Sequence, residues 1–298
     1  MLIVNPRSGG GKARRYGLVG ECAARGIEPI VLGPDDDITD VAATAVAGGA
    51  AVIGVAGGDG CLAPVAEAAS RHDLRFVCVP AGTRNHFAMD IGIDRHDVIG
   101  ALDAFGTGNE RLVDLARMHG RTFVNNASMG WYGKVVQSDT YRDAKLRTVL
   151  EMVPDLVGPH AEPFLLRFQG PDGSEYSAVH LLLVSNNRYE LDLLPGQGTR
   201  REMNEGALGV IAARVAPVRL EAARAAEPGE LSGWLEWGVP VFRVDSDGPV
   251  EVGLDGERLK VDPPLLFESR PRSLRLGLPN RHGPAELLRG RRLRARPS

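Results

Sequence analysis

The 298-residue sequence has few cysteines, no excess of positive charge and no long uninterrupted apolar run. Cys22, Cys61 and Cys78 are widely spaced and form no Cys-x-x-Cys pair, which excludes a disulfide framework and a zinc knuckle. A net charge of −3 excludes a general nucleic-acid binder. The longest uncharged stretch, 41–58, is interrupted by five glycines, so we expect no transmembrane helix. Without a signal-peptide pattern at the N-terminus, we expect a cytoplasmic protein.

The first part of the chain alternates short apolar strands with helical stretches. Strands are predicted at 2–4, 29–32, 51–55 and 75–79, and helices at 12–25, 39–47 and 62–70. Continuous apolar strands separated by helices are typical of a parallel sheet covered on both faces. We therefore predict an α/β nucleotide-binding domain over 1–125.

After about residue 125 the pattern changes to period-two runs broken by Gly, Pro and Asp. These runs lie at 164–168, 178–184, 239–244, 250–254 and 265–269. They predict a mostly antiparallel β-sandwich domain over 126–271. The C-terminal segment, 272–298, is a candidate to pack back onto the first domain.

Gly-rich polar loops follow three predicted strands: the first loop (5–12), the second loop (57–60) and the third loop (80–88). The first loop leads from a strand into a helix, where backbone amides can bind phosphate, although a tight turn without a ligand has the same pattern. Because the carboxyl ends of parallel strands lie at one edge of a sheet, we expect the three loops to lie together.

Asp59 is the carboxylate of the second loop. Beside a phosphate it would be either a ligand of Mg²⁺ or of its water network, or a base near an acceptor hydroxyl. The alternative is an N-cap of the following helix, which we expect to begin at about Cys61 or Leu62.

Together these loops and two later segments resemble the diacylglycerol kinase catalytic-domain family, lipid kinases that include the sphingosine and ceramide kinases and are related to NAD kinases. The matching segments are Asn5-Pro6-Arg7-Ser8-Gly9, Gly57-Gly58-Asp59-Gly60, Gly82-Thr83-x-Asn85-x-Phe87-Ala88, Asn125-Asn126-Ala127-Ser128-Met129-Gly130 and Leu254-Asp255-Gly256-Glu257. They occur in family order. The resemblance implies an NAD kinase-like α/β domain, a mostly β second domain and ATP in the cleft between them.

The resemblance also implies the reaction, which is Mg²⁺-dependent transfer of the γ-phosphate of ATP to a hydroxyl of a diacylglycerol-like or sphingoid lipid at the membrane surface. Asp59, Asp255 and Glu257 are the implied catalytic residues, the last two as the source of the base. The implied nucleotide-binding residues are Asn5, Pro6, Arg7, Ser8, Gly9, Lys12, Gly57, Gly58, Asp59, Gly60, Gly82, Thr83 and Asn85. The alternative for Asp255-Gly256-Glu257 is a simple β-turn between two strands.

Three positions depart from the family pattern. Cys61 replaces the usual Thr after the second loop, and His86 replaces an Asp in the third loop. The family's Asp-Asp-Gly stretch, which binds a structural cation, is matched here by Asn204-Glu205-Gly206, so Glu205 is the remaining carboxylate for a metal and its affinity should fall.

Two other functions compete with a lipid kinase. One is a non-catalytic lipid or nucleotide sensor that kept the fold after these departures, and the other is an NAD kinase, which shares the second loop. More than one lipid, or another alcohol, is compatible with these motifs as the acceptor, and a homodimer is one option for the oligomeric state. Membrane docking would use surface loops, the arginine-rich tail at 289–296 or a partner.

Overall fold

The computed structural model describes residues 1–106, 108–130, 163–191, 198–200, 202–214 and 233–280, and the arginine-rich tail lies outside them. The described residues form two compact units. Unit 1 comprises the described residues of 1–113 and 272–280, and unit 2 comprises the described residues between Asp114 and Pro271.

The strands and helices alternate in unit 1, and strands predominate in unit 2. The strands are β1 (Leu2–Val4), β2 (Pro29–Val31), β3 (Val52–Gly57), β4 (Arg75–Pro80), β5 (Asn109–Met118), β6 (Arg121–Phe123), β7 (Asn126–Gly130), β8 (Phe168–Gln169), β9 (Glu175–Tyr176), β10 (Leu181–Asn186), β11 (Glu190–Leu191), β12 (Gly198–Thr199), β13 (Leu208–Arg214), β14 (Gly233–Val239), β15 (Val241–Val244), β16 (Val250–Leu254), β17 (Glu257–Val261) and β18 (Leu265–Leu278). The α-helices are α1 (Lys12–Arg15), α2 (Leu18–Ala24), α3 (Ile38–Ala47), α4 (Asp59–Arg71) and α5 (His86–Asp90), with 3₁₀ turns at Ser8–Gly10 and Gly100–Phe105.

The sheet of unit 1 has the order β2-β1-β3-β4, followed by the second half of β18. Every one of these pairs is parallel. The strands β1, β3 and β4 are almost wholly buried, as their uninterrupted apolar sequences require. The predicted parallel α/β arrangement is therefore confirmed.

Two predicted helix boundaries in unit 1 are wrong. The helix predicted at 12–25 is two helices, α1 and α2, because Gly17 between them has a φ of +58°, which no helix interior allows. The helix predicted to begin at Cys61 or Leu62 begins at Asp59, with Gly58 as its N-cap. Asp59 thus lies in the first turn, where a carboxylate interacts favourably with the helix dipole.

Unit 2 contains a six-stranded sheet in the order β14-β13-β10-β7-β16-β17, and all of its pairs are antiparallel. A second antiparallel pair joins β15 to the first half of β18. Apolar and aromatic side chains such as Phe168, Trp237 and Phe242 form the core of this unit. The predicted antiparallel second region is confirmed.

The run predicted as a strand at 164–168 forms only an isolated bridge from Phe164 to Val179, a second bridge from Arg167 to Asp245, and the start of β8. Its backbone changes partner within a few residues, which prevents a continuous ladder. Within the described part of the chain, no helix is both long enough and apolar enough to cross a membrane.

Candidate active site

The three Gly-rich loops lie together at the carboxyl edge of the unit 1 sheet, because they follow the neighbouring parallel strands β1, β3 and β4. Glycines allow their close approach. A Cβ on Gly82 would lie 2.2 Å from Cα of Gly58, and a Cβ on Gly9 would lie 2.4 Å from the carbonyl oxygen of Ala81. No side chain fits at either contact, so the loops meet backbone to backbone.

Polar side chains of the first loop connect it to the other two. Nζ of Lys12 donates to the carbonyl oxygen of Gly82 at 2.9 Å. Nδ2 of Asn5 lies 3.2 Å from Sγ of Cys61 in the first turn of α4, while its Oδ1 accepts from the amide of Arg7 at 3.0 Å. The Cys61 sulfur therefore serves as a hydrogen-bond acceptor for Asn5, although the hydroxyl expected at this position is absent.

The first loop lies in a cluster of positive charge. The pKa of Lys12 is lowered, first by its partial burial and then by the nearby charges of Arg95 and Arg15. Arg15 also donates to the carbonyl oxygen of Gly9 at 2.9 Å. Three mutually repelling cations favour binding of an anion here. The sequence contains a signal for Arg15, because a residue three positions beyond Lys12 lies on the same face of a helix. No sequence signal marks Arg95.

Asp59 connects the second loop to the third. Its carboxylate accepts from the amides of His86 at 3.2 Å and Phe87 at 3.3 Å, which are the first two residues of α5. The predicted alternative, an N-cap for the following helix α4, is wrong because Gly58 occupies that position. Asp59 instead satisfies the free amides of a different helix.

His86 and Asn85 have different environments in the third loop. The His86 side chain is half exposed, with Nδ1 3.8 Å from Oδ2 of Asp59. Asn85 is buried, accepts from the amide of Gly82 at 2.9 Å and donates to the carbonyl oxygens of Pro80 and Gly82. The side-chain amide of Asn85 thus stabilises the conformation of the third loop through hydrogen bonds to its backbone. Asn85 itself has a left-handed φ of +54°.

The other predicted nucleotide-binding residues surround this cluster. Pro6, Ser8 and Gly58 are half-buried, Gly57 is buried, and Arg7, Gly60 and Thr83 are exposed. Arg7 reaches away from the loops and donates to the carbonyl oxygen of Pro34 at 3.3 Å.

In unit 2, Asp255 and Gly256 form the two-residue turn between β16 and β17, with φ values of +47° and +94°. Positive φ at both positions is what a type I′ turn requires, so the β-turn interpretation describes the backbone correctly. The Asp255 carboxylate also has a second task. It accepts from the amides of Val124, Asn125 and Asn126 at 2.8, 2.8 and 3.1 Å.

Glu257 is the first residue of β17, where it pairs with Leu254, and it is exposed. Its side-chain carboxylate has no hydrogen bond or ion pair to any part of the chain that the structure describes. The carboxylates of Asp255 and Glu257 therefore have different environments. Asp255 is held by backbone amides, whereas the Glu257 carboxylate is available for a proton or a ligand.

Arg200 lies outside all of the predicted site residues. It is 1% exposed and donates to backbone oxygens of Val124 and Asn186 at 2.6 and 2.8 Å. It belongs to none of the recognised motifs and is one of 31 arginines, so no sequence signal marks it.

Glu205, the predicted metal ligand, lies 3.4 Å from Nε of Arg188, while the amide of Gly206 donates to the buried Asp114 at 2.7 Å. Among the described residues there is no group of three or more His, Cys, Asp or Glu side chains arranged to hold a metal ion. A metal at Glu205 stays a prediction.

Comparison with known proteins shows which family this chain resembles. The model of the diacylglycerol kinase catalytic domain matches residues 1–118. "Probable lipid kinase YegS-like" of Pseudomonas aeruginosa is 28% identical over 94% of this chain and 94% of its own length. "Diacylglycerol kinase" of Mycobacterium tuberculosis is 30% identical over 61% of this chain and 62% of its own length.

A solved structure has the same fold. The crystal structure of a diacylglycerol kinase from Bacillus anthracis superimposes with a TM-score of 0.67 and 19% identity, over 95% of this chain and 96% of that chain. The resemblance predicted from the motifs is confirmed. The chain is therefore a kinase, and its residues 1–118 are similar to the diacylglycerol kinase catalytic domain.

Proposed function

We propose that this protein is an ATP-dependent lipid kinase that transfers the γ-phosphate to a hydroxyl of a diacylglycerol-like or sphingoid lipid at the membrane surface. The observation that carries the proposal is the contact of three Gly-rich loops at one edge of the parallel sheet, cross-linked by Lys12 and Asp59. The names of the relatives support the kinase reaction and the lipid acceptor.

The first, second and third loops suit a polyphosphate. Their glycines keep side chains away from the backbone, so amides can approach phosphate oxygens, and Lys12, Arg15 and Arg95 supply positive charge. The fit therefore rests on both shape and charge. When bound, ATP supplies the transferable phosphoryl group, and Mg²⁺ neutralises part of its charge.

Asp59 fixes the second loop relative to the third loop by accepting hydrogen bonds from the first two amides of α5. With its side chain 11% exposed, the carboxylate is partly shielded from water and adds negative charge beside the cationic first loop. A carboxylate placed here can bind a hydrated Mg²⁺ that accompanies the nucleotide, since Mg²⁺ in phosphate sites uses one or two carboxylates and keeps several waters.

Glu257 is the proposed general base. An alcohol loses its proton as it attacks phosphorus, and a carboxylate within hydrogen-bond reach can accept it. Asp255 is less suited to this task because its oxygens already accept three amide hydrogens. We assign Asp255 to orienting the turn and Glu257 to taking the proton.

The first experiment incubates purified protein with γ-labelled ATP, Mg²⁺ and a total lipid extract in mixed micelles, and measures label in the organic phase. Wild type should label a lipid, whose mass identifies the acceptor. Asp59→Ala and Glu257→Gln should each retain only a small residual rate of labelling while remaining folded. Glu251→Gln is the matched control, because Glu251 is an exposed glutamate at the far end of the same β16–β17 hairpin.

The competing functions give different results. A sensor would bind ATP but transfer label to no acceptor, and an NAD kinase would label NAD and leave the lipid extract unlabelled. Full activity in folded Asp59→Ala and Glu257→Gln would disprove the residue assignments while leaving the kinase reaction in place.

A further inference from the structure

The segment Val124–Asn126 lies between a buried positive charge and a carboxylate. Its three amides donate to the carboxylate of Asp255. Its carbonyl oxygens face the other way, toward the guanidinium of Arg200: Nη1 donates to the oxygen of Val124 at 2.6 Å and lies 3.4 Å from that of Asn125. Two consecutive peptide groups, 124–125 and 125–126, thus have N–H toward Asp255 and C=O toward Arg200.

This alignment lets the peptide dipoles connect the two charges. Each peptide group has its positive end at the carboxylate and its negative end at the guanidinium, and both contacts are charge-assisted hydrogen bonds. A guanidinium that is 1% exposed is costly unless it is fully hydrogen-bonded. The oriented peptide groups supply part of that compensation.

Further contacts of Arg200 hold neighbouring elements to the same segment. Nη2 donates to Oδ1 of Asn125 at 2.8 Å, and Nη1 donates to the carbonyl oxygen of Asn186 at the end of β10 at 2.8 Å. Cζ lies 5.4 Å from the ring centroid of Tyr189, whose hydroxyl accepts from Nδ2 of Asn126 at 3.1 Å. The planar fork of an arginine satisfies several acceptors at once, which a lysine cannot do.

We infer that Arg200 is a positioning residue for the phosphoryl-transfer reaction. It fixes the orientation of the peptide groups at 124–126, these groups fix Asp255, and the Asp255–Gly256 turn fixes the position of Glu257. The inference rests on the proposed function, in which Glu257 is the base. It adds a residue outside the family motifs whose effect passes through the backbone and never through contact with the substrate.

The test compares Arg200→Lys and Arg200→Met with wild type for folding, kcat, KM for ATP and the pH dependence of kcat. Arg200→Lys keeps the charge but loses the fork. We expect it to fold, to keep its KM for ATP, and to lose about 10²-fold in kcat, the loss typical of a small misplacement of a reacting group. Arg200→Met should lose more. Arg243→Lys is the control, because Arg243 is an exposed arginine of unit 2 paired with Asp245.

The pH profile separates positioning from a general loss of structure. If Glu257 is displaced, the midpoint of the acidic limb of kcat should move in Arg200→Lys, whereas a smaller folded fraction would lower the whole profile without moving its midpoint. In a Glu257→Gln background, Arg200→Lys should cause no further loss in the residual rate, because both changes act through one group. Losses that multiply in the double variant would overturn the inference.

Failure of this inference is distinguishable from failure of the proposed function. If wild type labels no lipid, the proposed function fails. If wild type is active and Glu257→Gln keeps full activity, Glu257 is not the base, and the positioning role of Arg200 fails together with that assignment while the kinase reaction stands. If Glu257→Gln is inactive but folded Arg200→Lys has the wild-type kcat and pH profile, only the positioning role fails. If both Arg200 variants fail to fold, Asn125→Ala provides the test, because it removes one acceptor of the guanidinium. It should shift the midpoint of the acidic limb of kcat, but by less than Arg200→Lys would. A folded Asn125→Ala variant with the wild-type pH profile would refute the positioning role of Arg200.

Discussion

Gly82 is the residue at which the second and third loops touch most closely, and its substitution by alanine tests the proposed phosphate site. A Cβ at this position would lie 2.2 Å from Cα of Gly58, 2.8 Å from its amide nitrogen and 2.8 Å from Oδ1 of Asn85. Two of these atoms are backbone, so they cannot rotate away. Gly82 does not have a positive φ, so the effect of the substitution is purely steric.

The size of the effect follows from these distances. Carbon atoms in favourable contact are about 3.5–4.0 Å apart, so the two loops would have to separate by more than an ångström. Overpacking of this kind costs about 1–3 kcal/mol in the free energy of unfolding. A displacement on that scale at the proposed phosphate site should lower kcat/KM for ATP by about 10²-fold.

The assay measures urea unfolding and the steady-state kinase rate of Gly82→Ala beside Gly20→Ala. Gly20 lies in α2 and a Cβ there meets no atom within 4 Å, so that substitution should keep the activity and raise the free energy of unfolding by about 0.5–1 kcal/mol. Wild-type stability and wild-type kcat/KM in Gly82→Ala would refute the close contact of the loops and its role.

Three further predictions concern charge and protonation. Lys12→Gln should raise KM for ATP by about tenfold or more, because it removes a charged donor from the first loop, and an unchanged KM would contradict the proposed contact of Lys12 with phosphate. Asp37 is the N-cap of α3 and accepts from the amide of Thr39 at 2.7 Å, which lowers its pKa. The stabilising effect of the Asp37 carboxylate is therefore present above its unfolded-state pKa and is lost as pH falls through its folded-state pKa. The difference in melting temperature between wild type and Asp37→Ala should consequently disappear in acid. A difference that stays constant with pH would argue against the cap. Burial, with a smaller effect of the Asp59 charge, raises the pKa of the Cys78 thiol, so iodoacetamide should modify half-exposed Cys61 well before Cys78 in the native protein and both alike in urea, as mass spectrometry can show. Equal native rates would contradict the burial of Cys78.

The sequence predicts well where local pattern controls the structure. The apolar runs of β1, β3 and β4 predict buried parallel strands, and the direction of parallel strands places the loops after them at one edge. The Asp255–Gly256 pair predicts its own turn, because these residue types tolerate positive φ. It does not predict that the same Asp255 carboxylate binds amides about 130 positions earlier in the chain.

The helix boundaries show the limits of local reasoning. Gly17 is compatible with a continuous helix by sequence, and only its conformation in the structure divides α1 from α2. Glycine within a helical pattern is tolerated at a modest cost, so the pattern alone does not identify a break.

The fold class, the family motifs and the edge of the sheet that carries the loops are thus determined by the sequence. They depend on apolar periodicity, glycine spacing and turn chemistry, which are properties of neighbouring residues. Tertiary structure alone determines what the charged side chains do. Asp59 binds the amides of α5 rather than capping its own helix, and Arg200 is buried against the segment that holds Asp255. These contacts join residues that are 27 and 76 positions apart in the sequence. A buried charged group forms hydrogen bonds with the groups that are near it in space, and the packing of the strands determines which groups those are.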